Sequence, residues 1–185
     1  SLTVIAAALT GCTGAGPPER DGRIALLLPD AKTARYETFD RPLFEAKVAQ
    51  LGDYDVLYAN ADQDAAKQQQ QAESALAAGT GVLVLDPVDA NAAVSIVASA
   101  NAKGVPVISY DRLVAGGDLA YYVSFDNEKV GRLQADAFVA AVDASGGRGI
   151  LMVNGSPTDS NAALFKRGAH AVIDPTGLRV LAEYD

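Results

Sequence analysis

"GVLVLDPVDANAAVSIVASANAKGVPVISYDR", Gly81 to Arg112, decides the fold. It opens on an apolar run rich in β-branched residues, Gly81 to Asp86, and closes on another, Val105 to Ser109. Neither run alternates apolar with polar residues, as a strand with one wet face would. Both therefore belong to a sheet covered on its two sides. Between them, Asn91 to Lys103 repeats apolar residues at helical spacing with Val94 and Val97 inward, and Gly104 ends the helix before Pro106. Strand, helix and second buried strand make a βαβ crossover, which joins parallel strands.

The same rhythm extends upstream. "IALLL" (Ile24 to Leu28) and "YDVLYA" (Tyr54 to Ala59) read as strands. A helix starting near Asp40 tolerates Pro42 in its first turn and places Phe44, Val48 and Leu51 on one face. A second, Asp64 to Ala78, turns Ala65, Ala72 and Leu76 inward and stops at Gly79. The result is βαβαβαβ, an α/β doubly wound parallel sheet. After Arg112 the loop "LVAGGDLA" interrupts the rhythm, which resumes at "YYVSFDN". Then come a helix from Glu128 to Val142 burying Val130, Leu133 and Ala137, the strand "GILMVNG", a helix from Thr158 to Ile173 with Phe165, Gly168 and Val172 on one face, and the strand "LRVLAEY". Two strands with two helices do not cover both faces of a sheet, so this set reads as the start of a second lobe, cut short. The expected organisation is a leader and tether over 1–21, a first lobe over 22–124 and the beginning of a second over 125–185.

The leader stands apart. "SLTVIAAALTGC" is apolar from Leu2 to Leu9, too short to span a bilayer, and ends on the sole cysteine, Cys12. It reads as the apolar part of a secretory signal. "LTGC" resembles a bacterial lipobox, which implies lipid attachment at Cys12, a membrane anchor and an extracytoplasmic location. "TGAGPPERDG" follows as a tether.

Several functions are excluded. A net charge of -8 with no basic run argues against a nucleic-acid partner. The loop after the first strand, "PDAKTARYE", has no glycine to let a backbone approach a pyrophosphate, so dinucleotide and P-loop readings fail and no cofactor is expected. His170, the sole histidine, sits mid-helix, and no nucleophile and base pair up; no metal cluster has zinc or calcium spacing. The chain is expected to catalyse nothing.

Ligands of open α/β sheets bind beyond the carboxyl ends of the strands. That edge collects Pro29 to Tyr36, Asn60, Asp86, Tyr110 to Arg112 and Gly155 to Asn161. Carboxylates, amides and guanidinium forks there suit a neutral polyhydroxylated ligand, whose hydroxyls both donate and accept. Tyr36, beside Arg35, offers an aromatic face for a sugar ring. Asp111 and Arg112 are expected to steady each other. Asp159 doubles as a helix N-cap, Asn127 reads as a cap near a hinge, and Asp86 as the end of a strand outside the site.

"ISYDR", "SFDNEKVGRLQA" and "GSPTDSNAALFKRG" resemble the xylose-binding branch of periplasmic sugar-binding proteins, the type I substrate-binding components of ABC importers. "PDAKTARYE" is similar to the first loop of the related multiple-sugar-binding proteins, with Tyr36 in place of a Trp. The resemblance implies the type I periplasmic-binding-protein fold, a monomer of two Rossmann-like lobes hinged near Ser124 to Asp126. It implies closure on a monosaccharide, D-xylose or a related aldose, and delivery to an ABC permease. The implied ligand-binding residues are Lys32, Arg35, Tyr36, Asp111, Arg112, Asp159, Asn161 and Lys166, with Lys166 or Arg167 standing where the family carries Arg. The same fold forms the sugar-sensing core of LacI-type regulators and of chemotaxis or sensor-linked sugar-binding proteins, which is the alternative reading.

Overall fold

The computed structural model describes residues 22–147 and 149–185. The leader and its Cys12 lie outside the described residues.

Five parallel strands form one sheet in the order β2-β1-β3-β4-β5: β1 Arg23–Leu28, β2 Asp55–Asn60, β3 Val82–Leu85, β4 Val107–Tyr110 and β5 Tyr121–Val123. Three helices link the first four strands: α1 Arg41–Leu51, α2 Ala65–Ala77 and α3 Val94–Asn101. The apolar runs are explained by burial on both faces. On one face Ala25, Leu27, Leu83, Leu85 and Val107 pack with Ala72 and Leu76 of α2 and Ile96, Val97 and Ala100 of α3. On the other, Leu26, Leu28 and Val84 pack with Tyr36 and Phe44. Odd and even positions of β1 thus face different helices, as the period of two requires.

Local chemistry sets the helix ends. The Asp64 carboxylate accepts from the N–H groups of Ala66 (2.8 Å) and Lys67 (3.0 Å) and so caps α2. Gly79 leaves that helix with φ 80°, a conformation open to glycine. α3 is shorter than its pattern suggests: Asp89 accepts from Asn91 N and Ala92 N as a cap does, but the turn that follows is irregular, with Val94 N reaching back three residues to the Asn91 carbonyl, and the regular helix starts only at Val94. Leu51, expected inward on α1, is 66% exposed.

The second unit has a two-stranded parallel sheet, β6 Gly149–Val153 and β7 Arg179–Tyr184, with α4 Asn127–Ser145 and α5 Ser160–Ile173. Ala135, Ile150, Met152, Ile173 and Leu178 form its core. Leu133 and Ala137, expected inside, face solvent, and the helix turns Gly131 and Ala135 inward instead. Glycine explains the shifted phase. A Cβ at Gly131 would strike the Phe165 carbonyl and one at Gly168 the Glu128 carbonyl, so the two helices touch backbone to backbone. A hydrophobic periodicity cannot register contacts made by residues without side chains. The outer face of this sheet, with Leu151, Val153 and Leu181, is exposed.

Candidate ligand site

The chain leaves β1 for β2 on one side and returns to β3 on the other, so the sheet switches direction between β1 and β3. A crevice opens at such a switch beyond the carboxyl ends of the strands. Here that edge holds Asp30, Arg35 and Tyr36 after β1, Asp86 after β3, and Asp111 and Arg112 after β4.

The first loop reaches the site through an unusual turn. Asp30 is buried, and its Oδ1 accepts from Lys32 N (2.9 Å) and Thr33 N (2.7 Å), folding the loop onto itself. A π-helical turn, Tyr36–Asp40, follows and runs into α1. Such wide turns recur where a helix must present a side chain sideways, and this one carries Arg35 and Tyr36 to Asp111.

Asp111 is the hub. Its Oδ2 accepts from Arg35 Nη2 at 2.5 Å and from the Tyr36 hydroxyl at 3.0 Å. Its Oδ1 and its carbonyl each accept from Asn161 Nδ2 at 3.2 Å. Ser124 Oγ donates to the same carbonyl at 2.6 Å. Asp111 has φ 59°, a left-handed backbone that costs a residue with a Cβ about 1 kcal/mol. The surrounding bonds hold it there.

Arg112 does not pair with Asp111, contrary to the expectation from their adjacency. Both lie just past the end of β4, and the left-handed backbone of Asp111 turns the chain between them, so each finds a different partner. Arg112 Nε lies 3.0 Å from Asp159 Oδ2 and 3.8 Å from Asp86 Oδ1, and Nη2 lies 3.8 Å from Asp30. Asp159 also caps α5, accepting from Asn161 N at 2.8 Å, as its place before the helix led one to expect. Asn127 is not a cap. Its amide is buried and donates to Ser124 Oγ (3.0 Å) and Asn161 Oδ1 (2.8 Å), while Asp126 caps α4.

These contacts tie the start of α5 to the five-stranded unit. Leu113 N donates to Ser160 Oγ at 2.7 Å, Ala90 N to the Thr158 carbonyl at 3.0 Å, and the Thr158 hydroxyl to the Val88 carbonyl at 3.3 Å.

Of the expected residues, Arg35, Tyr36, Asp111, Arg112, Asp159 and Asn161 converge. Two do not join them. Lys32 is exposed and bonds Gln63 at 3.3 Å. Lys166 pairs with Glu183 (3.1 Å) and Asp185 (2.9 Å), beside a hollow of about 290 Å³ that Asn154, Gly155, Ser156 and Ala162 also line. Arg167 is engaged by Glu128 at 2.9 Å. Tyr36 is not an open stacking face: its ring is 2% exposed under the Arg35 guanidinium, 4.9 Å away. Burial, followed by the Asp86 charge, pushes its hydroxyl well above the ordinary tyrosine value, so it stays a donor.

Asp86 is the residue that the sequence reading set aside. It is 0% exposed at the switch point, and neither carboxyl oxygen has a hydrogen-bond partner among the described residues. Its position just after β3, beside the reversal of strand order, was the available signal. Another hollow, about 520 Å³, lies at the opposite ends of the strands by Ile24, Val48 and Tyr54, away from the converging polar groups. Among the described residues no group of three His, Cys, Asp or Glu side chains is placed to hold a metal, and no helix is long and apolar enough to cross a membrane.

The periplasmic binding protein domain family matches residues 24–185. The D-xylose-binding periplasmic protein of Haemophilus influenzae is 37% identical over 156 residues, covering 84% of this chain and 46% of that protein. The multiple sugar-binding periplasmic receptor of Rhizobium radiobacter is 34% identical over 158 residues, covering 83% and 44%. An ABC transporter solute binding protein from Clostridium phytofermentans, solved with bound β-D-glucose, superposes with a TM-score of 0.78 at 29% identity, covering 85% of this chain and 51% of that one. The chain spans about half the length of these relatives, and across that span, sheet order and sequence together, it belongs to the periplasmic binding protein domain family.

Proposed function

We propose that this chain forms the first lobe and the beginning of the second lobe of an extracytoplasmic sugar-binding protein that feeds an ABC permease, with the lobes divided at 124/125. The observation that carries the reading is the convergence of Arg35, Asp111, Arg112, Asp159 and Asn161 from both units at one edge. A sugar hydroxyl needs a donor and an acceptor at once. This cluster supplies carboxylates, guanidinium forks and an amide, with no nucleophile and base to do chemistry.

The ligand is a monosaccharide, D-xylose or a related aldose. Two matched names support that class, one being a D-xylose-binding protein and another a structure with β-D-glucose. Closure works by differential binding: a ligand that touches both lobes binds the closed arrangement better and shifts the population toward it. Arg35 and Arg112 hold the acceptors, Asp111 takes hydroxyl protons, and Asp159 and Asn161 bring the second lobe. Lys32 and Lys166 serve at the rim, where each gives up its present partner to reach a ligand. Lipid attachment at Cys12 anchors the protein on the outer face of the cytoplasmic membrane.

A thermal-shift screen of the full-length protein against monosaccharides tests this. A ligand at a hundred times its Kd adds about 2.7 kcal/mol. An aldose that raises the melting temperature supports the reading; a flat response to every monosaccharide overturns it.

A further inference from the structure

Arg112 Nε carries a single N–H, and two carboxylates claim it: Asp159 of the second unit at 3.0 Å and Asp86 of the first at 3.8 Å. The longer separation exceeds hydrogen-bond range. The groups bearing on Asp86 come from three directions: Tyr36 and, through Arg112, Asp30 from the loop after β1; Asp111 and Arg112 from the loop after β4; Asp159 from the start of α5. Arg35, the other cation of the site, is engaged by Asp111 and Asp40. Tyr36 lies close to Asp86 but gives its proton to Asp111. An ionised carboxylate that is fully buried with neither oxygen hydrogen-bonded is costly, and the Asp111 and Asp159 charges add to the cost, which Arg112 and the nearby Tyr36 hydroxyl offset only in part.

We propose that Asp86 is a proton-dependent positioning residue: protonated, it leaves the Arg112 N–H to Asp159 and the two units stay bridged; ionised, it draws Arg112 back and loosens the bridge. The inference rests on the reading that the two units grip a ligand between them. Burial first, and then the Asp111 charge, raises the Asp86 pKa well above the usual carboxylate range, in keeping with this. The sign follows from linkage. Above the ordinary aspartate value of about 3.9, the unfolded chain binds fewer protons than the folded one, so stability falls as pH rises toward the raised value.

Asp86→Asn keeps the shape and cannot ionise. In the full-length protein without sugar, the wild-type melting temperature should fall by several degrees against that of the variant between about pH 5 and about pH 8. Groups remote from Asp86, His170 included, are common to both and cancel, and the coupled Asp111 and Asp159 stay ionised across this range. A constant difference across that range overturns the proposal. Should the variant fail to fold, infrared spectra of the wild type decide: a protonated-carboxyl C=O band at about pH 6 that bleaches at higher pH supports it, and no such band overturns it. With sugar, wild-type affinity should weaken as pH rises while that of the variant stays level; equal slopes overturn the proposal. If neither protein binds any sugar at any pH, the sugar-binding function fails, and the sugar-free melting curves still decide the role of Asp86.

Discussion

Asp111 combines an unusual backbone with a crowded carboxylate. Its backbone is left-handed without being glycine, and its carboxylate is 8% exposed yet bonded by Arg35, Tyr36 and Asn161 together. Asp111→Gly should separate fold from function. Relief of about 1 kcal/mol of backbone strain offsets part of the loss, and Arg35 keeps solvent access, but the buried Tyr36 hydroxyl loses its acceptor, so stability should fall by about 1–3 kcal/mol with the fold retained. Sugar affinity should collapse nonetheless, because the acceptor is gone; calorimetry beside a melting curve reads both. A large loss of stability with affinity retained would return Asp111 to a structural role. Adjacency in sequence suggested an Asp111–Arg112 pair, but the left-handed turn at Asp111, past the end of β4, sends the two side chains to different partners. Residue identity was legible at Arg35, Asp111, Arg112, Asp159 and Asn161. Their partners were not, since partnership depends on where α5 docks.

At the scale of elements, the cap of α5 and the cap of α2 make a controlled comparison. Asp64→Ala removes an N-cap that bonds no member of the converging cluster and should cost about 1 kcal/mol with sugar affinity unchanged. Asp159→Ala removes a comparable cap but also frees Arg112, so it should cost stability and weaken sugar binding together. Equal affinity for both variants would remove Asp159 from the site. The α4–α5 contact makes a second test. Gly168→Ala drives a methyl against the Glu128 carbonyl and should destabilise the second unit by about 1–3 kcal/mol, read by denaturant unfolding. Between α5 and β7, His170 is held by Asp174 (2.9 Å) and Glu183 (3.1 Å), which raise its pKa in that order. The stability it adds is full below about pH 6.5 and is lost as pH rises through the raised value. His170→Gln should remove that part of the pH dependence. Strands β1, β3 and β4 were readable because burial on both faces leaves an apolar run, whereas the phase of α4 was not, because its packing is carried by Gly131.

For the molecule as a whole, five strands in the order β2-β1-β3-β4-β5 make a rigid base, and the bridging polar groups sit where that order reverses. The second unit meets this edge through α5 and the residues just before it, by side-chain bonds and one main-chain bond from Ala90 N to the Thr158 carbonyl. The sequence rhythm conveyed the α/β class and the parallel sheet. It did not convey Asp86, because a residue before Pro87 looks like a strand end until the switch point is located. The most direct measurement of the central claim is calorimetric titration of the full-length protein with D-xylose and D-glucose, wild type beside Asp111→Ala. Loss of one partner in a buried, hydrogen-bonded charge cluster costs about 2–5 kcal/mol, or roughly 30-fold to several thousand-fold in Kd. The account predicts saturable one-to-one binding of an aldose by the wild type and a loss of that size in the variant; equal affinities, or no binding of either sugar by the wild type, would contradict it.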